Sequence, residues 1–236
     1  MAGASTRRAS RPPSQWAFPP LAELAGEDDL IAIGADLATG TLLEAYASGY
    51  FPMPVNRRRI GWFSPDPRGV LPLDHLRVSR SLRRSMHRYE VTVDHAFDQV
   101  ILACSDPRRP HGWIDQRVVK AYTLLHRLGW AHSIEAWEGD ALVGGLYGVS
   151  IGGLFAGESM FHHRTDASKV ALVHLVDLLG TGSPNTLLDV QWCTPHLATL
   201  GVVEVGRAAY GRLLANALEL ELAPVFCPEP PSNLRE

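Results

Sequence analysis

Cysteine is scarce: Cys104, Cys193 and Cys227 are the only three in 236 residues, and they are widely spaced with no C-x-x-C pair. That excludes a disulfide framework and a zinc knuckle. Long apolar runs are missing too. The best candidate, Val170 to Leu179, is cut by His174 and Asp177 and falls well short of the roughly 20 residues of a membrane span. Arg7, Arg8 and Arg11 are followed by Pro12 and Pro13, where a secretory leader needs an apolar block. A cytoplasmic protein without membrane association is expected. Nor does either sign of charge dominate, since the formal net charge is only −3, which by itself argues against a nucleic-acid partner.

The distribution of charge says something different. Residues 57 to 88 hold nine arginines against Asp66 and Asp74, a local +7 that leaves −10 for the rest. Such a polarised chain can hold a polyanion in one region and a cation elsewhere, although a solvated charged face reads equally well. With 46% hydrophobic and 20% charged residues, the remainder is ordinary globular composition with enough apolar mass for a core.

Along the chain, residues 1–15 are rich in Ala, Ser, Arg and Pro, and a disordered tail is expected there. Residues 16–72 are dense in Pro and Gly and read as a small N-terminal domain with one short helix over 36–50. From residue 73 to 236 the periodicities sharpen into a second domain. A helix is expected over 78–88, with Arg77, Arg80, Arg84 and Arg88 at three- and four-residue spacing. A strand over 89–93 and helices over 95–104 and 115–128 follow. A three-strand meander then covers 132–137, 141–149 and 154–161, with turns at Gly139-Asp140 and Gly152-Gly153. Asp166 is a natural N-cap for a helix to Leu179. A strand over 186–192, a short helix, a strand over 202–205 and a helix over 207–218 complete the pattern. This is an α+β chain with a mixed, mostly antiparallel sheet flanked by helices, and the order resembles the Gcn5-related acyltransferase fold.

Acetyltransferases of that fold hold the CoA pyrophosphate with a glycine-rich turn before a helix. The corresponding stretch here, Phe161-His162-His163-Arg164-Thr165-Asp166-Ala167-Ser168, has no glycine for close backbone approach, and Asp166 would repel a pyrophosphate. Other blocks stand out: Trp62-Phe63-Ser64-Pro65-Asp66-Pro67-Arg68, Gly112-Trp113-Ile114, Gly144-Gly145-Leu146-Tyr147-Gly148-Val149 and Gly157-Glu158-Ser159-Met160-Phe161. Ala167-Ser168-Lys169, Leu188-Asp189-Val190-Gln191 and His196-Leu197-Ala198-Thr199-Leu200-Gly201 follow in order. Together they resemble the signature blocks of leucyl/phenylalanyl-tRNA–protein transferases, in series from about Phe18 to Leu218. Two departures fall in the N-terminal loops. Gly34-Ala35-Asp36 stands where the family has two glycines, and Phe51-Pro52-Met53 stands where a Trp follows the Pro.

The resemblance implies attack by a protein's α-amino group on the ester of an aminoacyl-tRNA. The partners are then Leu- or Phe-charged tRNA (possibly Met) and acceptor proteins beginning with Arg or Lys, in N-degron turnover by a monomer. The ester is already activated, so no metal, nucleotide or other cofactor is required. Asp189 and Gln191, two apart on a strand, share a face by alternation, and the Gln191 amide oxygen can accept an amine proton while Asp189 bonds its amide. The rival reading is a pair that only stitches the sheet. Glu158 is the candidate for the fixed negative charge that reads a cationic acceptor; otherwise it caps backbone or pairs with an arginine such as Arg164, and Asp189 is next in line. The resemblance points to Leu146, Phe155, Met160, Leu172 and Leu188 as the lining of an apolar aminoacyl pocket. By spacing alone these five are core residues. Phe155 and Met160, five apart, should face oppositely unless Gly157 marks a bulge.

Trp113 can stack on the terminal adenine or simply sit in the core. The four arginines at 77, 80, 84 and 88 are the tRNA-binding candidates. His162-His163 point apart and have no third ligand, so no metal site is expected. His196 reads as a structural partner of the Gln191 strand. An acetyl-CoA-dependent N-acetyltransferase of the same fold and a non-catalytic tRNA-binding module remain the alternatives, separable by acetyl-CoA binding and by transfer from labelled leucyl-tRNA.

Overall fold

The centre of the molecule is a meander that the alternation of the sequence demands: β6 (Ala131–Glu138), β7 (Ala141–Ile151) and β8 (Leu154–His162) pair antiparallel across two tight turns. The computed structural model describes residues 10–24, 26, 28–109, 112–180 and 183–227. The first nine residues of the expected tail lie outside these. Within the described part of that tail, Arg11 bonds the Leu43 carbonyl and lies 3.6 Å from Glu44.

Ahead of the meander come β1 (Leu30–Ile33), α1 (Thr39–Ala47), β2 (Phe51–Pro54), β3 (Ile60–Phe63) and β4 (Arg68–Leu71). They are followed by α2 (Arg80–Met86), β5 (Glu90–Val93), α3 (Phe97–Cys104) and α4 (Gln116–Arg127). Behind it come α5 (Ala167–Gly180), β9 (Leu187–Gln191), α6 (Pro195–Thr199), β10 (Val203–Val205) and α7 (Arg207–Leu218). A small antiparallel sheet has the order β1-β3-β2, and a seven-stranded sheet has the order β10-β4-β9-β8-β7-β6-β5. Among the described residues only β8 and β9 pair in parallel. The chain is therefore α+β with a mixed, mostly antiparallel sheet.

Sheet membership divides the chain earlier than residue 72, since β4 lies between β10 and β9 in the large sheet. Proline and glycine content marked the loops around β4 but could not register a strand whose partners lie far along the chain.

The helices start where their caps dictate. Ser79 accepts from the Leu82 amide and Asp115 from the Arg117 and Val118 amides, satisfying groups that a helix start leaves open. The Ser79 cap shortens α2 relative to the expected 78–88, so Arg77 precedes the helix and Arg88 follows it. Asp166, the expected cap of α5, instead has a positive φ of 64°. Its carboxylate accepts from Lys169 Nζ at 2.9 Å and Ser85 Oγ at 3.0 Å.

Alternation along β7 sends side chains to two cores. Tyr147 and Val149 join Tyr46, Val100, Ile101, Val118 and Tyr122 of α1, α3 and α4. Leu146 joins Phe155, Leu172, Leu175 and Leu188 against α5. Helix α5 is apolar nearly all round, as befits a helix covered on most sides.

Candidate active site

The site is created where two parallel strands part. Pairing of β8 with β9 covers only Leu154–Leu187, Phe155–Leu188 and Ala156–Asp189. Beyond that the strands diverge, and a cavity of about 270 Å³ opens, bordered by Glu158 and Met160 of β8 and by Leu188, Val190 and Gln191 of β9. Helix α5 supplies Leu172 and Leu175 as its floor, and α6 adds Leu197 at the edge.

A bulge shapes the β8 wall. Tyr147 pairs with Ser159 and Gly148 with Gly157, so Glu158 is the extra residue opposite a single step of β7. One added residue shifts every later side chain to the other face. Met160 thereby borders the cavity together with Leu146, Leu172 and Leu188. Phe155 does not. It shares the face of Leu146 and Leu188 but lies deeper along the paired part of β8 and β9, where it is fully buried and stacks on Phe226 with ring centroids 5.5 Å apart.

The bulge also aims Glu158 inward. Its Oε2 accepts from the Tyr122 hydroxyl at 3.2 Å, and Tyr122 in turn pairs with the Tyr46 hydroxyl. The residue is half-buried overall, but its Oε1 is enclosed and has no partner. Burial pushes its pKa up to about 8 against the pull of the two tyrosines, with Asp189 adding to the rise and Arg68 opposing it. Near neutral pH burial therefore favours the protonated acid at Glu158 over a standing charge. Arg164 plays no part; it lies 3.4 Å from Glu138.

Asp189 sits on the opposite face of β9 and is 1% exposed. Arg68 grips it with two bonds, Nε to Oδ1 at 2.9 Å and Nη2 to Oδ2 at 2.8 Å, and Tyr210 donates to Oδ2 at 2.8 Å. Arg68 is equally buried, lies between the Phe51 and Tyr210 rings, and donates to the Gly49 carbonyl. Neutralised and enclosed, Asp189 is not available to read an acceptor's charge.

Nor does the Asp189 carboxylate hold the Gln191 side chain. It accepts the Gln191 backbone N–H at 2.9 Å. Gln191 has φ +61°, and the next amide, Trp192 N–H, folds back to the Val190 carbonyl at 2.8 Å. This tight turn is unfavourable for a residue with a side chain. It breaks the alternation that would have sent Gln191 the way of Asp189, and it brings the amide to the cavity edge. Gln191 Nε2 is buried there without a partner.

Three of the buried polar atoms that lack a partner, Tyr147 Oη, Glu158 Oε1 and Gln191 Nε2, belong to residues bordering this one cavity. Buried polar atoms are ordinarily partnered, and here three that are not belong to the border of one cavity. The result is a cavity with an apolar floor and a polar lip.

A smaller hollow of about 160 Å³ adjoins the lip, with half-buried Trp113 facing Phe51, Met53, Glu158, Gln191 and Trp192. His196 is exposed at the cavity rim rather than packed as a structural partner, and burial, Lys169 and His162 hold its pKa below the ordinary value. Arg77, Arg80 and Arg84 are exposed and have no acidic partner among the described residues, whereas Arg88 lies 3.3 Å from Glu138. They lie beside the β8–α5 turn, to which Ser85 and Tyr89 are bonded, and outside the cavity.

Two family models match the chain. One described as leucyl/phenylalanyl-tRNA protein transferase covers residues 70–215, and one described as the N-terminal domain of the same enzymes covers residues 35–66. The chain belongs to this family. The two matches meet between residues 66 and 70, where the chain leaves the small sheet and enters β4. Among relatives named leucyl/phenylalanyl-tRNA–protein transferase, that of Aromatoleum aromaticum is 49% identical over 207 residues, 84% of this chain and 86% of its own. That of Anaeromyxobacter sp. (strain Fw109-5) is 49% identical over 214 residues, 89% and 90% of the two chains. That of Syntrophobacter fumaroxidans is 50% identical over 203 residues, 84% and 86%.

Sequence reasoning missed Arg68, Tyr46, Tyr122, Tyr147 and Tyr210. In the sequence Arg68 is one arginine of the basic stretch, and the tyrosines fall on apolar faces of α1, α4, β7 and α7 where they read as core. Their one signal was polarity: a buried Tyr hydroxyl needs a partner.

Proposed function

We propose that this protein of the leucyl/phenylalanyl-tRNA–protein transferase family moves a leucyl or phenylalanyl group from its tRNA to the α-amino group of proteins beginning with Arg or Lys. It does so in the cytoplasm, as a monomer, in the turnover of those proteins. The observation that carries the reading is the cavity at the β8–β9 splay, an apolar floor under a lip of unpartnered polar atoms. An aminoacyl ester has that pattern, an apolar side chain next to an ammonium group and a carbonyl.

Leu146, Met160, Leu172 and Leu188 take the donor side chain, with Phe155 supporting them from behind. The acceptor nitrogen attacks the ester carbonyl carbon, a C–N bond forms, the C–O bond breaks, and the ribose oxygen leaves with a proton. Gln191 Nε2 donates to the carbonyl oxygen as charge grows on it, and Gln191 Oε1 accepts from the attacking amine. Asp189, through the Gln191 amide, is a positioning residue. An α-amino group has a pKa of about 7.7–8.0, so on the order of a tenth is neutral at pH 7 and no strong base is needed. Glu158 gives up its proton when a cationic side chain arrives, Trp113 stacks on the terminal base, and Arg77, Arg80, Arg84 and Arg88 meet phosphates.

The absence of glycine before α5 and the Asp166 carboxylate there speak against CoA. Calorimetry with acetyl-CoA and with a non-hydrolysable phenylalanyl-adenosine tests the reading. Binding of the second alone is expected; binding of acetyl-CoA alone would replace it with N-acetyltransfer.

A further inference from the structure

A second basic feature lies away from α2. The turn between β2 and β3 carries Arg57, Arg58 and Arg59, all exposed. It borders a groove of about 650 Å³ whose other wall is α4, with Arg117, Lys120, Leu124 and Arg127. Those positions recur every three or four residues and so share one face, spanning about 15 Å at 1.5 Å per residue. Arg117 is paired with Asp115 at 2.7 Å. Arg58, Lys120 and Arg127 have no acidic partner among the described residues. The one carboxylate in the groove, Asp36, is committed to Thr41, the Ala38 amide and Trp16.

Both walls lead to the transfer site. The buried face of α4 holds Tyr122, which bonds Glu158. Met53, on the strand that leads into the arginine turn, borders the Trp113 hollow. Cations left unpaired in a chain of net charge −3 fit a polyanion and repel a cationic acceptor.

We infer that the groove between the β2–β3 turn and α4 is a second phosphate-binding surface for the RNA donor, on a different flank of the site from the arginines of α2. This rests on the proposed reading that the donor is a tRNA. The RNA is then held from two sides while its terminal ester enters the cavity.

The test compares Lys120→Glu and Arg127→Glu with Arg212→Glu, an exposed reversal on α7 that changes net charge equally. The dissociation constant of full-length leucyl-tRNA is measured across a salt series, and transfer is measured from a leucyl-nucleoside donor lacking the RNA body. Each groove reversal should weaken tRNA binding and flatten the log–log salt slope by about 0.7–0.9 per lost contact. Transfer from the short donor should be unchanged, and Arg212→Glu should leave the slope as it was. Slopes for the groove variants equal to that of Arg212→Glu, with normal tRNA binding by the unsubstituted protein, overturn the groove alone. So does an equal loss of transfer from the short donor, which would trace the effect to the site. Absence of salt-dependent tRNA binding by the unsubstituted protein overturns the RNA donor and the groove with it.

Discussion

Replacing Asp189 with Ala leaves the Arg68 guanidinium buried without its counter-charge. The pair is fully enclosed, with two bonds of 2.9 and 2.8 Å plus Tyr210 and the Gln191 amide on the same carboxylate. Removing one partner of a buried pair costs about 3–5 kcal/mol. In a chain of 236 residues, where 1 kcal/mol moves Tm by about 2–4 °C, the midpoint should fall by about 6–20 °C. Turnover of the folded fraction should fall by about 10²-fold or more as the Gln191 turn loses its anchor. Removing both charges, as Arg68→Met with Asp189→Leu, separates the two effects, because apolar replacement of a buried pair is often neutral or stabilising. The double variant should recover most of the lost Tm and none of the lost turnover. Thermal unfolding and single-turnover transfer from leucyl-tRNA read the two quantities. An Asp189→Ala protein with wild-type Tm and rate would refute the reasoning, as would a double variant that regains turnover with Tm.

Gln191→Ala should lower turnover by about 10²-fold with little change in Tm, since no group among the described residues bonds its side-chain Nε2; a Tm loss matching that of Asp189→Ala contradicts a role at the lip. Glu158, with its pKa raised by burial to about 8 from an ordinary 4.5, binds a proton in the folded state that the unfolded chain has released between those values. Its contribution to stability therefore falls as pH rises through that window, and Glu158→Gln should flatten that slope in urea titrations. In the same window the ratio of transfer to Arg-starting over Ala-starting peptides should rise with pH in the unsubstituted protein and stay level in Glu158→Gln; parallel curves would assign the acceptor charge elsewhere. Met160→Ala enlarges the donor cavity and should change Leu-to-Phe-to-Val discrimination by about 1–3 kcal/mol with tRNA affinity kept; constant ratios make Met160 core. Reversing Arg80 and Arg84 to Glu should flatten the salt dependence of tRNA binding by about 0.7–0.9 for each lost contact, and unchanged slopes would mean that these arginines face only solvent.

The parts legible in the sequence are those fixed by local periodicity. Helix α7 spans the expected Arg207–Leu218, and the meander is lengthened by only a residue or two at its ends. The Glu158 bulge was readable as a conflict, because Phe155 and Met160 could not both face one cavity without an extra residue beside Gly157. The rest depends on contacts distant in sequence. Arg68 and Asp189 are separated by 121 residues, and nothing in a run of nine arginines tells which one turns inward. Gln191 leaves the face that alternation assigns it because of one left-handed residue, which no propensity for Gln foretells. Phe155, which the resemblance assigns to the cavity, lies deeper on the same face and supports the wall without lining it.

The central claim is that the splay between β8 and β9 joins an aminoacyl group to a protein's N-terminus. The most direct measurement is the mass and fragmentation pattern of an Arg-starting peptide after incubation with leucyl-tRNA and the protein, in parallel with Gln191→Ala. One leucyl residue added at the α-amino group by the unsubstituted protein, and about a hundredfold less by the variant, is the result expected. An unmodified peptide beside intact leucyl-tRNA, or equal addition by both proteins, would contradict it.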